Sequence, residues 1–173
     1  MKSKRVRFFL WHFFISICIS LISLFWVFNA WYPGPLAKAT NVTYIFLMLL
    51  AIDIILGPIL GFVVYNEKKK TLKFDLAVIF LLQLSALAYG VYSISQARPV
   101  WIVYNVDRFE LVRKNELIED NIQQAQLQFQ QPSWFKPEYA ATEFAKNTQQ
   151  RNKDMFAEVL GGISLAQKPE RYV

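Results

Sequence analysis

Apolar residues arrive in three long runs separated by short polar stretches, and then give way to mixed sequence. The first run, FFLWHFFISICISLISLFWVFNAWY, covers residues 8–32 and contains no Lys, Arg, Asp or Glu. About 20 apolar residues suffice for a helix to cross a bilayer, so this run predicts a membrane span. Trp26, Trp31 and Tyr32 near its end suit a headgroup interface. A cleaved signal peptide would have an apolar core of about 7–15 residues and a small-residue cleavage site. This run is longer and bulkier, and it reads as an uncleaved anchor. Pro33, Gly34 and Pro35 form a turn that ends it. A second span is predicted at 42–65 and a third at 74–97, stopped by Arg98 and Pro99.

Beyond the third span the pattern changes. VWIVYNV, rich in β-branched and aromatic residues, is followed by Asp107-Arg108 and then FELV, which predicts one or two strands. Residues 115–131 place Leu117, Ile118, Ile122 and Ala125 on one helical face, ended by Pro132. A second helix is expected over 137–160, with Gly161-Gly162 as its C-cap. Its apolar positions, Phe144, Met155, Phe156, Val159 and Leu160, are expected in the core. The expected fold class is a membrane protein: three transmembrane α-helices in 1–97, then a small α+β domain in 98–173.

Charge sets the expected orientation. Lys2, Lys4, Arg5 and Arg7 precede the first span, and Lys68, Lys69, Lys70 and Lys73 lie between the second and third. Only Lys38 lies between the first and second. The positive-inside rule then puts the N-terminus and the lysine loop in the cytoplasm and residues 98–173 outside it. Those last residues hold ten Lys/Arg and ten Asp/Glu, so the formal +6 of the chain belongs wholly to the membrane part. The basic balance therefore reflects topology and lends no support to nucleic-acid binding. With 54% hydrophobic residues and 18% charged, the lipid bilayer is the expected surrounding. The single cysteine, Cys18, excludes an intrachain disulfide and reads as a small apolar side chain. Asn41-Val42-Thr43 matches a glycosylation sequon, but it abuts a span and reads as chance.

Asp53 interrupts the second span in AIDIILGPIL, four residues before Gly57-Pro58. At about 1.5 Å of rise per residue, Asp53 lies roughly 18 Å from the cytoplasmic side, Gln83 about 14 Å and Ser16 to Ser20 about 12–18 Å. A carboxylate facing lipid costs several kcal/mol, so Asp53 is expected to turn inward toward Gln83 and the serines. His12, nearer the cytoplasmic face, is expected not to reach them. Gly57 and Gly61 are four apart, as are Ala86 and Gly90, a spacing that lets helices approach closely. Pro58 removes the donor for the Ile54 carbonyl, which predicts a bend. Asp53 can be a packing contact in the bundle, a docking site for a foreign helix, or a proton-linked switch in a small transport or signalling subunit.

Catalysis finds no constellation. Asp75 lies roughly 14 Å from the level of Asp53, too far to share a proton as an aspartyl pair does. GxGD, GxSxG, phosphate loops and metal-spaced His/Cys clusters are all missing, so no catalytic residue, metal, cofactor or small-molecule substrate is expected.

Several motifs in order carry a resemblance: Asp53 before Gly57-Pro58, then Lys68 to Lys70, then Leu72-Lys73 with Asp75-Leu76. Gln83 and Tyr89-Gly90 follow, then Arg98-Pro99-Val100, Val106-Asp107-Arg108-Phe109, and the tail GGISLAQKPERYV. Together they resemble type IV pilin accessory proteins of the TfpX/TfpZ group. The resemblance implies a bacterial inner-membrane protein, with its outer domain in the periplasm, that assists one pilin without catalysis. The implied partner is a type IV pilin, its helix in the membrane and its head in the periplasm. The partner-contacting residues expected on these grounds are Asp53, Gly57, Pro58, Gly61, Gln83, Gly90, Arg98, Asp107 and Arg108.

Overall fold

The computed structural model describes residues 4–173, so Lys2 of the basic N-terminal cluster lies outside the described residues. The chain divides into two compact units, one reaching from the N-terminus to Asn29 and resuming over Pro33–Ser95, the other made of Ala30–Tyr32 and Gln96–Val173.

The first unit is a helical bundle. Helix α1 (Lys4–Trp26) continues as a π-helical turn through Trp31. The Asn29 amide of that turn donates to the Phe25 carbonyl of α1 at 2.8 Å. Gly34, at φ +58°, reverses the chain into a single helical turn, α2 (Leu36–Ala39). Asn41 takes the left-handed conformation that Asn tolerates, and α3 (Val42–Val64) starts from it. Helix α3 runs unbroken through Pro58. Helix α4 (Leu72–Gln96) opens with Asp75 in its first turn, held by Thr71 at 3.2 Å and Lys69 at 2.6 Å. A carboxylate there complements the helix dipole. The three long helices are each long and apolar enough to cross a membrane.

Burial on α3 follows one stripe: Val42, Phe46, Leu50, Asp53, Gly57 and Gly61, spaced by three or four. Helix α1 answers with His12, Ser16 and Ser20, four apart. Small and polar residues on these stripes let the two backbones close up without a driving force from water. The remaining faces carry exposed Leu, Ile, Phe and Trp, as lipid contact requires.

The second unit is built on a three-stranded sheet of order β2-β1-β3. Strands β1 (Pro99–Asn105) and β2 (Arg108–Arg113) form an antiparallel hairpin, and β3 (Glu138–Ala141) lies parallel to β1. Strand alternation sorts the faces. Trp101, Val103, Val112 and Ala140 point to a core with Phe129, Ala166 and Tyr172. Trp101, Phe129 and Tyr172 meet edge to face with centroids 5.4–5.6 Å apart. The tail closes this core: Ala141 and Val173 exchange two backbone hydrogen bonds, and the Tyr172 hydroxyl donates to the Ala166 carbonyl.

Three expectations for this unit are corrected. Residues 115–131 form no α-helix but three isolated 3-10 turns, Lys114–Glu116, Ile122–Gln124 and Leu127–Phe129. Tertiary and side-chain bonds take the backbone groups instead: Ile118 N–H donates to the Gln167 carbonyl, and the Gln130 amide to the Ala125 carbonyl. The helix expected over 137–160 is split. Its first part pairs with β1 as β3, and α5 (Thr148–Gly161) begins only where the Asn147 side chain caps the Gln149 N–H at 2.8 Å. Gly162, at φ +64°, ends it. Lastly, Phe144, Met155, Phe156, Val159 and Leu160 are exposed. The buried residue of α5 is Asp154, bonded by Arg171 at 3.0 Å, Gln150 at 3.0 Å and Lys168 at 3.4 Å.

Candidate functional site

One amide organises the bundle interior. Gln83 Nε2 lies 2.9 Å from Ser16 Oγ, 3.2 Å from the Asp53 carbonyl and 3.3 Å from Asp53 Oδ2, so one side chain of α4 ties α1 to α3. Gln83 Oε1 faces His12 Nε2 at 2.9 Å. That oxygen can only accept, so Nε2 carries the proton. His12 therefore does reach this level, against the expectation from helical rise. The side chains of Gln83 and His12 extend toward each other and span the offset between their backbones. His12 Nδ1 has no hydrogen-bond partner among the described residues.

The expected partner residues of the membrane part lie in this interior. Asp53, Gly57, Pro58 and Gly61 are buried. A Cβ on Gly57 would come within 1.8 Å of Gln83 Oε1, so only glycine leaves room for the amide. A Cβ on Gly61 would meet Phe8 at 3.0 Å and His12 Nδ1 at 3.1 Å. Gly90 of α4 receives Leu49 of α3, whose Cδ2 lies 2.4 Å from where a Cβ would be. These glycines are sockets for residues of the same chain.

In the second unit Arg98 is buried, with Nη2 3.3 Å from the Ser133 carbonyl and its guanidinium 4.8 Å from the Trp134 ring centroid. Burial pulls its pKa below the ordinary arginine value. Asp107 is exposed in the β1–β2 turn beside Val106, a β-branched residue held at φ +60°. Arg108 is exposed and bridges Glu110 at 3.1 Å and Glu158 of α5 at 3.0 Å.

Two features escaped the sequence reading. Glu110 accepts from Ser164 Oγ at 2.7 Å, Asn105 Nδ2 at 2.8 Å and Arg108 Nε at 3.1 Å. Burial opposes its charge, but these donors outweigh it and hold the carboxyl below its usual range. Nothing local marks Ser164 as a partner 54 residues away. The other feature is the second face of the sheet. Ile102 pairs with Leu111 and Tyr139, and Tyr104 pairs with Phe109 and Ala141, all on the side opposite the core. Tyr104, Phe109 and Tyr139 are exposed there, with the Tyr104 and Phe109 rings 5.2 Å apart. The alternation of VWIVYNV could have shown this face, since Val100, Ile102 and Tyr104 on one parity are as apolar or aromatic as Trp101 and Val103 on the other.

The class defined by these observations is a membrane protein of three spanning-length helices joined to a small α+β domain with an open aromatic sheet face. Residues 2–40 match the family model for fimbrial assembly protein FimB. Two fimbrial assembly proteins of Dichelobacter nodosus, from serogroups I and E1, are each 32% identical to 94% of this chain. The fimbrial assembly protein of serogroups C1 and C2 is 33% identical over 116 residues, which cover 66% of this chain and 88% of that protein. The chain belongs to this fimbrial assembly protein family. It spans 63% of the length of the serogroup I and E1 relatives. No solved structure matches it.

Proposed function

We propose that this chain is a bacterial inner-membrane accessory protein of type IV pilin, of the TfpX/TfpZ kind, and that it acts by binding rather than by catalysis. The N-terminus and the lysine loop face the cytoplasm and the sheet domain faces the periplasm. The pilin head docks on the open sheet face, and the pilin helix lies beside the bundle in the bilayer. Family membership supports the role in assembly. The observation that carries the docking surface is the exposed trio Tyr104, Phe109 and Tyr139 on one rigid sheet. Aromatic side chains offer large contact area at small entropic cost and dominate binding hot spots. In this reading Asp53, Gln83, Gly57, Pro58, Gly61 and Gly90 set the shape of the bundle for the pilin helix. Arg98 at one end of β1, and Asp107 and Arg108 at the other, set the shape of the two ends of the sheet.

Photo-cross-linking residues at Phe109 and Tyr139 should trap pilin in intact membranes, and one at exposed Gln128 should not. Membrane-inserted protein that yields no pilin adduct from Tyr104, Phe109 or Tyr139 would refute the docking surface. A second reading, a proton-linked transport or signalling subunit, gains support from the chain His12···Gln83···Asp53, which joins two titratable groups through one amide. It requires that Asp53→Asn damage function as much as Asp53→Leu.

A further inference from the structure

Between α1 and α4, at the end of the bundle that carries the lysine loop, lies a groove of about 360 Å³. Phe8, Trp11 and Ile15 form one wall, and Leu76, Ala77 and Phe80 the other. Each wall is one helical face, with residues at i, i+3, i+4 and i+7 once His12 and Lys73 are counted. His12 completes the α1 wall, and Lys73 is the single formally charged residue of the lining. Three other cations at this end are differently engaged: Lys4 pairs with Glu67, Lys69 with Asp75, and Arg5 donates to the Phe62 carbonyl. Lys73 has no carboxylate partner among the described residues. Arg7, exposed, sits one turn before Trp11 on α1.

We propose that this groove binds one anionic phospholipid of the leaflet that holds the lysine loop, its acyl chain between α1 and α4 and its phosphate on Lys73. The walls decide against a protein helix. Close helix approach needs small residues at the contact, and these walls are Phe, Trp, Ile and Leu, with Ala77 as the one small residue. A flexible acyl chain fits between such side chains. An unpaired ammonium at the mouth of an apolar groove selects an amphipath with an anionic head, and basic pockets between spanning helices recognise lipid headgroups this way. The volume lies in the range of small-ligand sites. This inference does not depend on the pilin reading, since it uses only groups of the helical unit.

Trp11 supplies the readout. The full chain would be reconstituted in phosphatidylcholine nanodiscs doped with phosphatidylglycerol brominated on its acyl chain. Quenching assigned to Trp11 is the difference between the wild type and Trp11→Phe. Brominated phosphatidylglycerol should quench Trp11 at a lower mole fraction than brominated phosphatidylcholine. Lys73→Gln, a surface change that leaves the bundle packing alone, should raise the phosphatidylglycerol fraction needed by about fivefold. Ala77→Phe should abolish the headgroup preference while Trp101 emission stays native. Equal quenching by the two lipids in the wild type, or an unchanged titration in Lys73→Gln, would overturn the assignment. So would Trp11 protection that appears only when pilin is co-reconstituted, which would give the groove to a protein helix.

Discussion

Gly57 and Gln83 are complements: one lacks a side chain because the other fills the space. Gly57→Ala should push the Gln83 amide off Ser16 and Asp53 and destabilise the bundle by about 1–3 kcal/mol, read as a lower melting temperature in detergent. Asp53→Asn keeps a group that can bond the amide and should be mild. Asp53→Leu should cost about a kcal/mol or somewhat more, because interhelical hydrogen bonds in membranes are worth that much. Pilus function at matched protein levels then separates a packing role from a proton-linked one, in which both changes do equal harm. Glu110 sets a pH dependence in the second unit. Its folded pKa lies below the ordinary glutamate value of 4.5, so its stabilisation is complete above that pH and is lost as pH falls through the folded value. Near-UV dichroism of the Trp101 cluster should show acid loosening that Glu110→Gln removes.

At the scale of elements, α5 is held by its cap and by one buried carboxylate. Asn147→Ala should cost about 0.5–2 kcal/mol through the lost cap, read as faster hydrogen exchange in the first turn of α5. Its apolar positions, Met155, Phe156, Val159 and Leu160, are exposed, so their truncation should barely move the melting temperature. Stability changes above about a kcal/mol there would mean that α5 packs against the chain in solution. The misplaced helix over 115–131 and the split one over 137–160 share a cause. Both segments carry acceptable helical patterns, but strand β1 and the tail offer their backbones non-local partners, and tertiary context overrides weak propensity. The hairpin turn was legible in Asp107-Arg108, whereas the parallel partner of β1 was not, because parallel pairing has no local turn signal.

At the scale of the molecule, the basic residues before α1 and between α3 and α4 imply one topology. Reporter fusions after Lys70 and after Val173 should report opposite sides of the membrane, and same-side results would discard the three-span arrangement. The three helices of spanning length and the α+β character of the remainder were determined by sequence alone. The reason is that the bilayer acts on each residue separately: a run of apolar side chains must be long enough to cross, whatever its neighbours do. The level shared by Asp53, Gln83 and the serines was legible for the same reason, since depth follows from helical rise. Which atoms meet at that level was left to the tertiary structure. Helical rise excluded His12, but two long side chains leaning toward each other closed the gap, and the close-packing spacing of Gly57 and Gly61 could not say whether a foreign helix or the chain's own Gln83, Phe8 and His12 would fill it. Likewise the tail from Ser164 to Tyr172 became the lid of the sheet core, and an aromatic face became free, only once β1 had chosen its neighbours. Contacts between residues far apart in sequence depend on geometry that no local pattern encodes, and most of the candidate site consists of such contacts.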